Sequence, residues 1–219
     1  MLWLLGIPIV LIAVGFLYFH LLSGPSTFRY KMTVEVMTSE GLRTGSAVRE
    51  VRFSKRANGG DYGQAVGEAV ALDLPNGGTL FALLSGADGS SDHGGQHVWH
   101  IMRQIDDDLI ELWPTAPKTS DPRIAYPAPM LVTFDDLSDP TSVKRVDPDD
   151  LAASFGEGVS LSRVTIEATD QPVTDRLADR LAKLGIKPDH SLDNDFKSTT
   201  NPTLAQRLAY RHFKREIAK

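Results

Sequence analysis

The sequence predicts an α+β protein: an N-terminal transmembrane helix, then a mainly antiparallel β domain with C-terminal helices. Three observations carry this. Residues 2–22, "LWLLGIPIVLIAVGFLYFHLL", contain no Asp, Glu, Lys or Arg. Between residues 30 and 168 apolar side chains recur mainly with period two, in runs separated by Gly-, Pro- and Asp-rich stretches. A period near 3.6 is concentrated toward the end of the chain.

A helix over residues 2–22, at ~1.5 Å per residue, is long enough for the ~30 Å hydrocarbon layer of a bilayer. Trp3 at one end and Tyr18 and His20 at the other suit its two interfaces. A cleaved signal peptide fits less well, because no basic leader precedes the apolar run and "HLLSGPS" offers no small-residue cleavage site. Residues 1–23 are therefore expected to be a single-pass anchor held by the lipid bilayer, followed by a linker over 24–28. Arg29, Lys31 and Arg43 come soon after the span, which favours a cytoplasmic position for the β domain.

The β domain is expected over 29–186. In "YKMTVEVM", Tyr30, Met32, Val34 and Val36 alternate with Lys31, Thr33 and Glu35, the pattern of a strand with one buried face. "TSEG" is a turn and "LRTGSAVREVRF" the returning strand, with Val51 and Phe53 set against Glu50 and Arg52. "SKRANGGDYGQ" reads as an exposed loop, and "AVGEAVALDLP" and "TLFALLSG" as a second hairpin through Asn76 and Gly77. Five prolines between 114 and 129 predict an extended course along a sheet edge or the surface. "MLVTF" is a buried strand, and "DPDDLAASFG" a short helix capped by Asp147 and stopped by Gly156. In "GVSLSRVTIEAT" the apolar side shifts from Val159 and Leu161 to Val164 and Ile166, which predicts a bulge near Ser162. Leu177, Leu181 and Leu184 mark a helix ended by Gly185. Residues 187–219 are expected to form a polar linker and then one basic helix, opened by Asn201 and Pro202, with Ala205, Ala209, Phe213 and Ile217 on its apolar face.

Two stretches, "FRYKMTVEVMTSEGLRTGSAVREV" and "PMLVTFDDLSDPTSVKRVDPDDLAASFGEGVSL", resemble uncharacterised bacterial single-pass membrane-anchored proteins. Together they cover about a quarter of the chain. The resemblance implies a bacterial inner-membrane location and brings with it no activity, ligand or site residue.

The totals narrow the chemistry. The chain has 219 residues, a formal charge of -5 and no cysteine. Disulfides, thiolate metal sites and cysteine nucleophiles are excluded, and the acidic balance gives no footprint for nucleic acid as a partner. His93, His97 and His100, four and three residues apart, are the candidate metal ligands, because a helical HxxxH pair supplies two zinc ligands on one face. Gly94 and Gly95 disfavour that helix, and the loop reading of the stretch is the simpler one. Asp106, Asp107, Asp108 and Glu111, like Asp135, Asp136 and Asp139, read as solvated turns or helix starts. Neither a GxSxG elbow nor a phosphate-binding glycine loop occurs, and no cofactor is implied. The tail from Thr203 carries five Lys or Arg against one Glu, so Arg207, Arg211, Lys214 and Arg215 are the candidate contacts to a membrane surface or an acidic partner. These features point to a membrane-anchored, non-enzymatic accessory or protein-interaction module with a protein partner, such as an assembly factor of a bacterial membrane complex. The alternatives are a metal-dependent hydrolase using the histidines, and membrane-surface binding through the basic helix.

Overall fold

The computed structural model describes residues 27–55, 61–75, 77–87, 89, 95, 98–104, 108–115, 128–193 and 201–216. The anchor expected over 2–22 lies outside these residues. Among the described residues no helix is long and apolar enough to cross a membrane.

β1 (Thr27–Thr38) and β2 (Gly41–Lys55) form the expected hairpin, with Thr38 opposite Gly41 and Thr27 opposite Arg52. Tyr30, Met32, Val34 and Val36 are buried, while Lys31, Thr33 and Glu35 face outward. The alternation arises because successive side chains of a strand point to opposite faces. β3 (Asp61–Glu68) starts within the stretch read as a loop and pairs with β2. β4 (Val70–Asp73) follows after Ala69 alone and pairs with β5 (Thr79–Gly86) in the second expected hairpin.

α1 (Val98–Gln104) buries Val98 and Ile101. It leads to β6 (Leu109–Trp113), an edge strand; most of the proline-rich run after it lies outside the described residues. β7 (Pro129–Phe134) and β8 (Val143–Arg145) come next, then α2 (Ala152–Phe155) and β9 (Ser160–Ala168). Asp147 does not cap α2. Its carboxylate accepts from Asp149 N–H at 3.0 Å in the preceding turn, and Asp150 accepts from Ala153 N–H at 3.1 Å at the start of the helix. Glu35 is opposite Arg163 and Val36 is opposite Leu161, so Ser162 is the extra residue of the expected bulge.

The strands make two sheets, in the orders β10-β3-β2-β1-β9-β6 and β4-β5-β7-β8, with every pairing antiparallel. Here β10 is Lys214–Arg215. The chain passes from one sheet to the other at Ala69, the corner of the sandwich, where Ala69 N–H donates to Phe213 O at 2.6 Å. The sheets touch at Gly45, where a Cβ would come within 3.1 Å of Val70 Cγ1.

One core fills the space between the sheets and includes Met32, Val34, Ala82 and Leu131. A second lies on the far side of the four-stranded sheet, where Phe81, Leu83 and Val132 meet Leu181, Leu208 and Phe213. All of β5 and β7 is buried because both faces of that sheet are covered.

The covering layer is α3 (Ala178–Lys183), α4 (Leu204–Arg207) and α5 (Tyr210–Phe213). α3 is only six residues long, but it ends as its sequence predicts. Gly185 takes φ +72°, Ile186 N–H donates to Leu181 O at 2.9 Å, and Gly185 N–H donates to Ala182 O at 3.0 Å. This is the Schellman arrangement, which only a residue at ease with positive φ permits. The first turn is held by buried Glu68, whose carboxylate accepts from Arg176 N–H at 2.9 Å and Leu177 N–H at 2.8 Å.

The tail departs from the helix its sequence predicts. A single basic helix from Asn201 is not formed; two four-residue helices and a strand take its place. Thr203, not Asn201, caps α4, in a capping box with Gln206. Leu208 and Ala209 are extended, and Lys214 and Arg215 pair with Glu68 and Gly67 of β3. The reason is burial on too many sides. Leu208, Ala209, Tyr210, His212, Phe213 and Lys214 are all buried, and one face of one helix cannot bury them all. The segment is part of the domain's packing, since Leu192, Ala205, Leu208 and Phe213 belong to the second core.

Candidate functional site

The tail is fastened from two sides before it presents any charge. Leu192 N–H donates to Leu208 O at 3.0 Å and Tyr210 N–H donates to His190 O at 3.2 Å, tying it to the segment that leaves α3. On the other side β10 extends the sheet beyond β3. Phe213 anchors it between, fully buried and 5.7 Å from the Phe81 ring in an edge-to-face contact.

Between these fastenings lies an open cavity of about 450 Å³ lined by Pro188, Asp189, Tyr210, Arg211, Lys214, Arg215 and Glu216, together with Ala209. Three of the four basic residues singled out from the sequence meet here. Arg211 is exposed and Arg215 half-buried, and Arg207 is exposed at the end of α4. Lys214 differs: its side chain is 6% exposed and its ammonium pairs with Asp175 at 2.5 Å and with Glu216 at 3.6 Å. Burial works against that charge, but Asp175, together with Tyr210 and Glu216, outweighs it and holds the Lys214 pKa above its ordinary value. Lys214 is thus a structural cation of the cavity wall, and Arg211 is an exposed cation of the site, beside exposed Asp189 and Glu216.

His212, which follows Arg211 in the chain, is buried. Its Nδ1 accepts from Ala209 N–H at 2.8 Å, which places the proton of the neutral ring on Nε2. Burial, reinforced by the Arg211 charge, pushes its pKa down to about 4. The buried imidazole next to the cavity-lining Arg211 in the chain is therefore neutral at physiological pH.

His93 and His97 lie outside the described residues, as does the side chain of His100, which stands on α1. Among the described residues no group of three His, Asp or Glu is placed to hold a metal ion. The acidic run at 135–139 serves local structure. Asp136 accepts from the backbone and hydroxyl of Ser138 at 2.8 and 2.6 Å, and Asp139 accepts from those of Thr141 at 2.8 and 2.7 Å. Asp106 and Asp107 lie outside the described residues.

Two polar features are not evident from the sequence pattern. Arg49 is completely buried, directly opposite Tyr30 on the inner face of the hairpin. Its Nε donates to Glu68 O and its Nη2 to Ala82 O, both at 2.9 Å, so it pins one sheet to the other; Nη1 has no hydrogen-bond partner among the described residues. A signal for its burial exists, since Arg49 shares the parity of Val51 and Phe53 in β2. The second feature is Arg180, which clamps the Asp73 carboxylate with both terminal nitrogens and lies 5.7 Å above the Phe81 ring. Its hydrogen bonds hold the Asp73 pKa below the ordinary value against the opposing effect of burial.

Comparison of the chain with known protein families, curated proteins and solved structures finds no match.

Proposed function

We propose that this protein is a membrane-anchored, non-catalytic interaction module of a bacterial inner membrane. Residues 2–22 hold it in the bilayer, and the β domain offers the tail cavity to a protein partner. The observation that carries the docking half is the convergence of Arg211, Lys214 and Arg215 with Asp189 and Glu216 round one open cavity. Such a surface suits a partner of mixed charge that places an acidic group on Arg211 and a donor near Asp189. Rim charges of this kind steer and select a partner.

The anchor half is supported by the charge-free run at 2–22. Both halves suit an accessory or assembly role, in which the chain holds a partner at the membrane.

A photo-reactive benzoylphenylalanine in place of exposed Pro188 tests the docking half in intact cells. A discrete protein adduct in the membrane fraction is expected, reduced about tenfold by Arg211→Glu, the effect of losing roughly 1.4 kcal/mol of binding. No adduct, or one indifferent to Arg211→Glu, contradicts the reading.

A further inference from the structure

We propose that the end of the six-stranded sheet nearest the anchor is a membrane-seating surface, which sets the domain upright on the headgroup layer through Phe28, Phe53, Trp99 and the arginines beside them. The proposal rests on the anchored reading above.

Chain length sets the geometry. Four residues, 23–26, separate the apolar run from Thr27, the first residue of β1. Fully extended they reach at most ~14 Å, so the start of β1 is tethered close to the bilayer surface. The other end of the hairpin, at Thr38 and Gly41, is ~36 Å further along the strand. The row Thr27, Arg52, Gln64, in register across β1, β2 and β3, therefore lies in the membrane-proximal rim, where β2 and β3 run three residues further, to the Lys55–Asp61 pair.

That rim carries the residues an interface selects. Phe28, Phe53 and Trp99 come from β1, β2 and α1 and form one cluster: the Trp99 ring is 4.5 Å from Phe53 and 5.5 Å from Phe28, and the two phenylalanines are 6.4 Å apart. All three are half-buried. Aromatic rings are enriched at the level of lipid headgroups. On the outer face of the same rim Arg29 and Arg52 both pair with Glu50, at 2.8 and 2.7 Å. Burial works to raise the Glu50 pKa, but the two arginines outweigh it and hold it below the ordinary value. Two guanidiniums against one carboxylate leave the cluster positive, and both arginine side chains are about 40% exposed. The hairpin tip has no such set; its large exposed residues are Met37 and Leu42, beside the Arg43–Glu40 ion pair. A ring cluster with a positive margin, tethered at this distance, fits an anionic headgroup layer.

The test uses the full chain, which has no cysteine. Gln64→Cys on the rim and Leu42→Cys at the tip, each carrying an environment-sensitive fluorophore, are placed in phosphatidylcholine–phosphatidylglycerol vesicles containing nitroxide-labelled lipid. The rim label is expected to lose more than half its emission and the tip label almost none. Equal quenching at the two positions, or none at either, in protein that floats with the vesicles overturns the seat and leaves the anchor standing. Protein that does not float overturns the anchor and the seat together. Trp99→Ser should bring the rim signal toward the tip signal, and Arg29→Gln combined with Arg52→Gln supplies the same comparison should Trp99→Ser fail to fold. A rim signal unmoved by both overturns the role given to these side chains.

Discussion

The β1–β2 hairpin and the C-terminal tail each bury a cation, and they do so by opposite means. Arg49 enters the sandwich with no carboxylate paired to it among the described residues; backbone carbonyls of both sheets accept from it, and the hairpin around it is regular over its full length. Lys214 is buried against a carboxylate, in a tail that changes conformation every few residues. The hairpin is therefore held by a repeating ladder with one polar pin. The tail is held by single contacts, each placed by a distant part of the chain.

The two regions should therefore fail differently. The largest effect is expected at the tail's apolar anchor. Phe213→Ala should cost ~3 to 5 kcal/mol, the usual range for emptying a buried aromatic site, read by urea unfolding of the detergent-solubilised chain. In the hairpin, Arg49→Ala should cost ~2 to 5 kcal/mol, because it opens a cavity and takes a donor from each of two buried carbonyls. Arg49→Met should cost clearly less, since it fills the space and removes the buried charge. Equal losses for Ala and Met would mean that the polar pin, and not the volume, is what matters.

The tail should also be sensitive to acid. The folded pKa of His212 is about 4, below its ordinary 6.5, so the unfolded chain takes up the proton first as pH falls. Stability is then complete above pH 6.5 and declines as pH drops to 4, by on the order of 3 kcal/mol. His212→Gln, which can still accept from Ala209 N–H, should flatten that slope in unfolding curves measured across the range. At the hairpin tip the exposed Arg43–Glu40 pair should contribute least. Arg43→Ala is expected to change stability by less than ~0.5 kcal/mol, and a larger loss would show the tip to be more than a solvated turn.

The same contrast explains what can be read from the sequence. Tyr30, Met32, Val34 and Val36 declare their face because a strand's period is local, and the shift from Leu161 to Val164 betrays the bulge at Ser162 for the same reason. Gly185 marks the end of α3 because a left-handed residue is a local demand. The tail misleads because Ala205, Ala209 and Phe213 fall at helical spacing, whereas its true partners, His190, Leu192, Glu68 and Ala69, include residues far away in sequence. α1 is too short for Val98 and Ile101 to establish a period. The three basic residues of the cavity are legible as a charge cluster. Asp189, which faces them, is not, and neither is the pairing that removes Lys214 from solvent.

The central claim is that residues 2–22 keep this domain at a membrane. Cell membranes holding the full-length protein, washed with alkaline carbonate, test it most directly when the retained chain is sequenced from its N-terminus. Retention in the pellet with a sequence beginning at Met1 is predicted. Release into the wash, or a chain beginning near Ser26, would contradict the account.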